Sequence, residues 1–242
     1  MWMKCRSICN SAGSIIVTAE FREPNPKTKT ERFFEHANVF FLFYEREIHW
    51  QQQYNSLIHK YRSDIFHENG FSATVGAAVF SEKYTILNDP DRNDDPYKLM
   101  FWDTAGEEKF FAVTKGFYRK ARVGLFIYAM DDPESLKELS FWIKNFVKVA
   151  PPDAHVIVAG NKCDLDAKVD LSTVDAVIKD AIESEGQGGR SGKSVHFGPC
   201  SAKSGKGVKE LFETAVKLTY CAATESNVDP DELKVSRVTF RM

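Results

Sequence analysis

The 242-residue chain contains no apolar run of membrane-spanning length, no C-x-x-C pair and no surplus of basic residues. The first absence argues against a transmembrane helix, which needs about 20 apolar residues. Five cysteines (Cys5, Cys9, Cys163, Cys200, Cys221) are odd in number and scattered. They fit reduced thiols in a cytosolic compartment better than a disulfide scaffold or a zinc site. A formal net charge of -2 gives no electrostatic footprint for nucleic acid. Lys4 and Arg6 precede a mildly apolar stretch, but Cys9, Asn10, Ser11 and Ser14 interrupt it, which weighs against a signal peptide. There is no internal repeat.

A complete phosphate-cradling loop is missing too. Residues 188–194 read GGRSGKS, but the signature G-x-x-x-x-G-K-[ST] requires a glycine where Gln187 stands, and it must open a helix. Here Ser194-Val195-His196-Phe197-Gly198-Pro199 follows, an alternating run stopped by Gly-Pro, which is strand-like. The segment reads as a flexible Gly/Ser loop before the last strand.

What is present is a globular composition, 43% hydrophobic and 27% charged, enough for one domain with a sizeable core. Residues 1–36 are polar and include Pro24-Asn25-Pro26-Lys27-Thr28-Lys29, the composition of a poorly ordered arm. A domain over 37–221 and a short tail over 222–242 complete the expected organisation. Within the domain, strands are predicted at 39–44, 77–87, 97–102, 123–129, 155–160 and 194–198. Helices are predicted at 54–62, 108–119, 134–148, 173–184 and 206–220. This α/β alternation predicts a six-stranded, mostly parallel sheet with helices on both faces. The turn formers NDPDRNDDP make the second strand an antiparallel edge.

The chemistry collects after the strands, where an open α/β sheet places its ligand. Asp103-Thr104-Ala105-Gly106 follows the third strand: the aspartate can hold a magnesium ion through water, and the glycine amide can meet a terminal phosphate. Asn161-Lys162-Cys163-Asp164 follows the fifth; a carboxylate facing two ring donors tells a guanine edge from adenine, and a lysine stem can lie along the base. Cys200-Ser201-Ala202-Lys203 follows the sixth, with amides that could reach the guanine oxygen. Each alone is weak; their order, each after a strand, makes chance a poor account.

With FHENGFSATVGAA at 66–78, WDTAGEEKF at 102–110, YRKA at 118–121, GNKCDL at 160–165 and CSAKSGKGV at 200–208, the chain resembles the Rab family of Ras-like small GTPases over roughly Ser56–Tyr220. The wording at 66–78 is most similar to the early-endosomal subgroup. The resemblance implies a Ras-like G domain that binds GTP or GDP with Mg2+. It places Phe66 against the base edge and Thr74 on magnesium beside Asp103. It puts Asp103 to Gly106 in the second switch, and Asn161, Lys162, Asp164, Ser201, Ala202 and Lys203 around guanine. It makes Val79, Trp102 and Phe117 an effector-facing surface. It further implies effector, exchange-factor and activating partners, and a cytoplasmic protein reaching endosomal or other vesicle membranes through partners.

Two departures stand out. SLIHKY at 56–61 resembles the family's first helix, so the phosphate loop should occupy Ile48–Asn55, which reads IHWQQQYN. Ile48 and Gln53 replace both glycines, Tyr54 the lysine and Asn55 the magnesium-binding hydroxyl. A β-branched residue resists positive φ, and the phosphate loses its cation and its amide nest, so GTP binding should be poor. A pseudo-GTPase used as a protein-binding module would give this pattern. So would an alternative first exon, which the intact downstream motifs favour; a repaired loop would then restore GTP binding and slow hydrolysis. Glu107 occupies the catalytic glutamine position, where it either repels the γ-phosphate or serves as a solvated helix-start residue. No cysteine follows Cys221, so the family's prenylated tail is not seen and membrane contact is expected to be indirect.

Overall fold

The computed structural model describes residues 2–9, 15–22, 38–42, 51–66, 77–87, 97–104, 116–184, 192–224 and 229–238. It divides into two compact units, Met1–Glu35 and His36–Met242. In the first, β1 (Trp2–Cys9) pairs antiparallel with β2 (Ile15–Arg22), in register from Trp2↔Arg22 to Cys9↔Ile15. Composition pointed to a poorly ordered arm here. The prolines behind that expectation lie after Arg22, whereas β2 opens with the β-branched run Ile15-Ile16-Val17-Thr18, a strand former.

The second unit carries one sheet. Its strands are β3 (Asn38–Leu42), β4 (Ala77–Leu87), β5 (Tyr97–Thr104), β6 (Ala121–Ala129), β7 (His155–Asn161), β8 (Ser194–Pro199) and β9 (Lys234–Arg237). The order across the sheet is β8-β7-β6-β3-β5-β4-β9. Strands β8, β7, β6, β3 and β5 run parallel; β4 is antiparallel to β5, and β9 to β4. Among the described residues the sheet thus has seven strands where six were expected, and β4 is not its edge. The extra strand comes from the expected tail: along Lys234–Arg237 exposed and half-buried residues alternate, and Val235 pairs with the buried Ile86.

The helices are α1 (Gln51–Ser63), α2 (Pro133–Val149), α3 (Leu171–Glu183) and α4 (Val208–Thr224). Of the helix expected at 108–119, only a helical turn at 116–118 falls within the described residues. Two starts have plain causes. Asp132 accepts the Glu134 amide with Pro133 at the first helical position, and Asp170 accepts the Ser172 amide. Alternation along β6 sends Phe126 and Tyr128 to one face, with Leu139, Trp142 and Phe146 of α2 and Val174 and Ile178 of α3. On the other face, Phe212 of α4 meets Phe101 of β5 and stacks on Tyr61 of α1 at 4.1 Å. Helices therefore cover both faces. Gly124 leaves room for this core: a Cβ there would lie 2.8 Å from Phe126 and 2.9 Å from Phe146.

The GKS tripeptide is not a loose linker. Gly192 N–H donates to Pro152 O (3.1 Å), Lys193 N–H to His155 Nδ1 (2.8 Å), and Val156 N–H to Lys193 O (2.9 Å). A Cβ on Gly192 would fall on the Ala154 carbonyl. Lys193 stands where β7 begins, so it lies about 20 Å along that strand from its Asn161 end. Residues 185–191 lie outside the described residues.

Candidate nucleotide-binding site

Among the described residues the carboxyl edge of the parallel strands carries the ends of β3, β5, β6 and β7 and the turn after β8. Asn161 closes β7 and is 1% exposed. Its Oδ1 accepts the Ala202 amide at 3.1 Å, and its carbonyl accepts the Met130 amide at 2.9 Å. One buried side chain thus joins the β7 loop to the turn after β8. Two further bonds tighten the joint, Cys200 N–H to Gly160 O (2.7 Å) and Cys163 N–H to Cys200 O (3.0 Å). Burial, with the nearby Cys163 second, pushes the Cys200 thiol up to about 12.

Beyond Asn161 the backbone turns through Lys162 at φ +65. Lys162 Nζ sits 3.1 Å from Asp131 Oδ1, so its stem is held against the β6 loop. Asp164 is exposed, yet Oδ1 accepts a 2.6 Å bond from the buried Ser201 hydroxyl. That hydroxyl in turn accepts the Ser204 amide at 3.0 Å. Gly205 (φ +83) and Gly207 (φ +69) let the turn bend into α4, where side chains with a Cβ resist that backbone. Asp164 Oδ2 has no hydrogen-bond partner among the described residues. It is an anchored carboxylate with one oxygen left to accept, the acceptor that a guanine N–H edge requires.

The chain is similar in sequence to known proteins. A model of the Ras family matches residues 54–221. Ras-related protein Rab-4B of Homo sapiens is 31% identical over 177 residues, 73% of this chain and 75% of that protein. The chain is a Ras-family protein of Rab type. Ras-related protein Rab-2B of Dictyostelium discoideum is 34% identical over 144 residues, covering 60% of this chain and 63% of that protein. GTP-binding protein YPT52 of Saccharomyces cerevisiae is 29% identical over 172 residues, 66% and 73% respectively. The family match opens at Tyr54, inside the expected phosphate-loop positions.

In this Rab-type chain the expected site residues meet different fates. Asn161, Lys162, Asp164, Ser201 and Ala202 converge as described, and Lys203 is exposed on the same turn. Ala202, assigned to the guanine oxygen, donates instead to Asn161 Oδ1, so a base reaches that proton only by sharing it. Asp103 and Thr104 end β5 opposite Ala78 and Ala77, with Asp103 level with Phe41 of β3. Phe66 is half-buried just past α1, after Asp64 at φ +59. Thr74, Ala105, Gly106 and Glu107 lie outside the described residues. Val79 is 42% exposed and stands opposite Trp102, whose ring packs 4.8 Å from Phe117. The three effector-surface candidates therefore adjoin.

The base half of the site fits a guanine nucleotide; the phosphate half fits it poorly. Gln51–Asn55 form the first turns of α1, so five of the eight expected loop positions carry helical backbone, and none supplies a cation. Asn55 also lacks the hydroxyl that a magnesium ion would use. Sequence reasoning overlooked Asp131, the seat of Lys162. Its only signal was the acidic pair Asp131-Asp132 after β6, of which Asp132 is taken as a helix cap.

Proposed function

We propose that this chain is a guanine-reading switch protein of vesicle trafficking whose base recognition is preassembled and whose phosphate grip is weak. The observation that carries the reading is the Ser201–Asp164 bond over the Asn161–Ala202 joint. The carboxylate oxygen left free accepts the ring N–H and the exocyclic amine of guanine, while adenine offers a ring acceptor in that place. Each charge-assisted bond contributes about 1.5–3 kcal/mol, so a selectivity of tenfold or more per bond follows. Asp103 and Thr74 are the candidate holders of Mg2+, whose contribution is charge neutralisation at the phosphates. Effectors, exchange factors and activating proteins are the proposed partners, with Val79, Trp102 and Phe117 as the contact surface. Membranes of endosomes or other vesicles are reached through such partners; among the described residues no helix is long and apolar enough to cross a membrane.

Competition for a fluescent-labelled guanine nucleotide tests this. GDP should displace it at least tenfold more effectively than ADP, and Asp164→Ala should erase the difference. Installing G-x-x-x-x-G-K-S across Ile48–Asn55 should raise affinity by about two orders of magnitude or more, through the recovered lysine and amide nest. Equal displacement by GDP and ADP would sink the reading. A second reading, a non-enzymatic binding module, is favoured by the helical backbone of Gln51–Asn55. It predicts no measurable nucleotide binding even after the loop is restored.

A further inference from the structure

An uncovered sheet edge presents a row of backbone donors and acceptors to any extended chain. Strand β4 would be such an edge, but residues 234–237 occupy it: Tyr84 pairs with Arg237, Thr85 with Ser236, Ile86 with Val235 and Leu87 with Lys234. Val238 N–H adds a 2.9 Å bond to Lys83 O. Upstream, Asp229 caps the 3-10 turn Pro230–Glu232 that leads into the strand.

This strand is held differently from the rest of the sheet. Lys234 and Ser236 are exposed, Val235 is its one apolar contributor, and the fastening is concentrated in Arg237. That guanidinium lies 4.9 Å over the Tyr61 ring and donates from Nη1 to Tyr61 O at 2.9 Å. It also reaches Arg62 O (3.4 Å) and pairs with Glu82 (3.3 Å). Glu82 is shared with Arg62 at 3.0 Å. The packing beneath is incomplete: a cleft of about 400 Å³ opens between α1, α4 and β9, lined by Lys60, Asp64, Val208 and Arg237 among others. A short, polar strand over a cleft, fixed by one side chain, has the construction of a removable part.

We propose that Asp229–Val238 is a releasable strand that occupies a strand-addition site on the outer edge of β4, with Arg237 as its latch. Release exposes Lys83–Leu87 to a partner in extended conformation. The fitting ligand carries an apolar residue and, two positions on, an arginine, because backbone pairing reads the main chain while the Tyr61–Glu82 seat selects a planar cation. Arg237 joins the C-terminal end of α1 to β4 through Tyr61 O and Glu82. None of this depends on nucleotide binding.

The test uses the full chain, unaltered and as Arg237→Ala and Ser236→Pro; the Val238 N–H bond to Lys83 O sets the alternation that turns the Ser236 amide toward β4, so the second variant removes a ladder donor from β9. Hydrogen exchange of Lys83–Leu87 should accelerate about tenfold or more in both variants while that of Val123–Ala129 is unchanged. A labelled peptide of residues 229–242 should bind both variants at least tenfold more tightly than the unaltered chain, and the same peptide with its arginine replaced by alanine should not bind. Unchanged exchange at Lys83–Leu87 would overturn the proposal. So would equal peptide binding to all three proteins, or acceleration that spreads to Val123–Ala129 in both variants, which would make the strand an integral part of the fold.

Discussion

Replacing Asn161 with alanine should cost more stability than replacing Ser201, although Ser201 makes more hydrogen bonds. The reason is what each substitution leaves behind. Asn161 is 1% exposed and its Oδ1 takes the amide of Ala202, itself 4% exposed. Truncation leaves that N–H without an acceptor and without water, at a cost of about 1–3 kcal/mol, and the void adds about 1 kcal/mol. Ser201 bonds to Asp164 and to the Ser204 amide, and both partners are exposed. Water replaces the hydroxyl for each, so the loss is about 0.5–1.5 kcal/mol. At about 2–4 °C per kcal/mol for a domain of this size, Asn161→Ala should lower Tm by about 4–16 °C and Ser201→Ala by about 1–6 °C. Urea and thermal unfolding followed by circular dichroism at pH 7, with no nucleotide added, measure both. If Ser201→Ala proved equally or more destabilising, the Asn161–Ala202 joint would not be the tie between the two loops.

Two more predictions concern packing and protonation. Lys193→Ala should change stability by less than about 0.5 kcal/mol, since the side chain is exposed and only its backbone is used, whereas Gly192→Ala should cost about 1–3 kcal/mol or more through collision with the Ala154 carbonyl; equal urea midpoints would refute this. Burial raises the Cys200 thiol from 9.0 to about 12 and the Tyr128 phenol from 10.0 to about 12. The folded state therefore keeps protons that the unfolded chain releases, and stability present below pH 9 should be lost between about pH 9 and 12. Urea midpoints should fall over that range; a flat midpoint would contradict the burial of these groups.

The parts of the fold that were legible in the sequence are those whose burial is written into composition. VIVAG and VGLFIYA are continuous apolar runs because β7 and β6 are covered on both faces, and such runs admit little else. Strand β9 was not legible, since four residues with one apolar anchor are stabilised by Arg237 and its distant partners, which no local pattern encodes. Gly192 was misjudged for a related reason: a glycine that permits close backbone approach looks the same in sequence as one that confers freedom. At the candidate site, the motif residues that the fold brings together were readable from their order after strands. The hydrogen bond that diverts the Ala202 amide to Asn161 was not, because it depends on where two loops meet.

Strand β3 has a consequence for how the protein is made. It leaves the ribosome first among the seven, yet it pairs with Met100–Asp103 on one side and with Ala121–Phe126 on the other. Its second neighbour is thus about eighty residues behind it, an interval of about 4 to 16 s at ~5–20 residues/s. Throughout that time VFFL is a sticky, two-edged segment without a home, the profile of a chaperone client. It cannot be dispensed with either. A fragment opening at Tyr54 would leave β5 and β6 about 9–10 Å apart with nothing to bridge them. The segment ahead of the family match is therefore free to drift in chemistry while remaining captive to architecture, so a screen for tolerated substitutions should find Asn38–Leu42 restrictive and Ile48–Asn55 permissive.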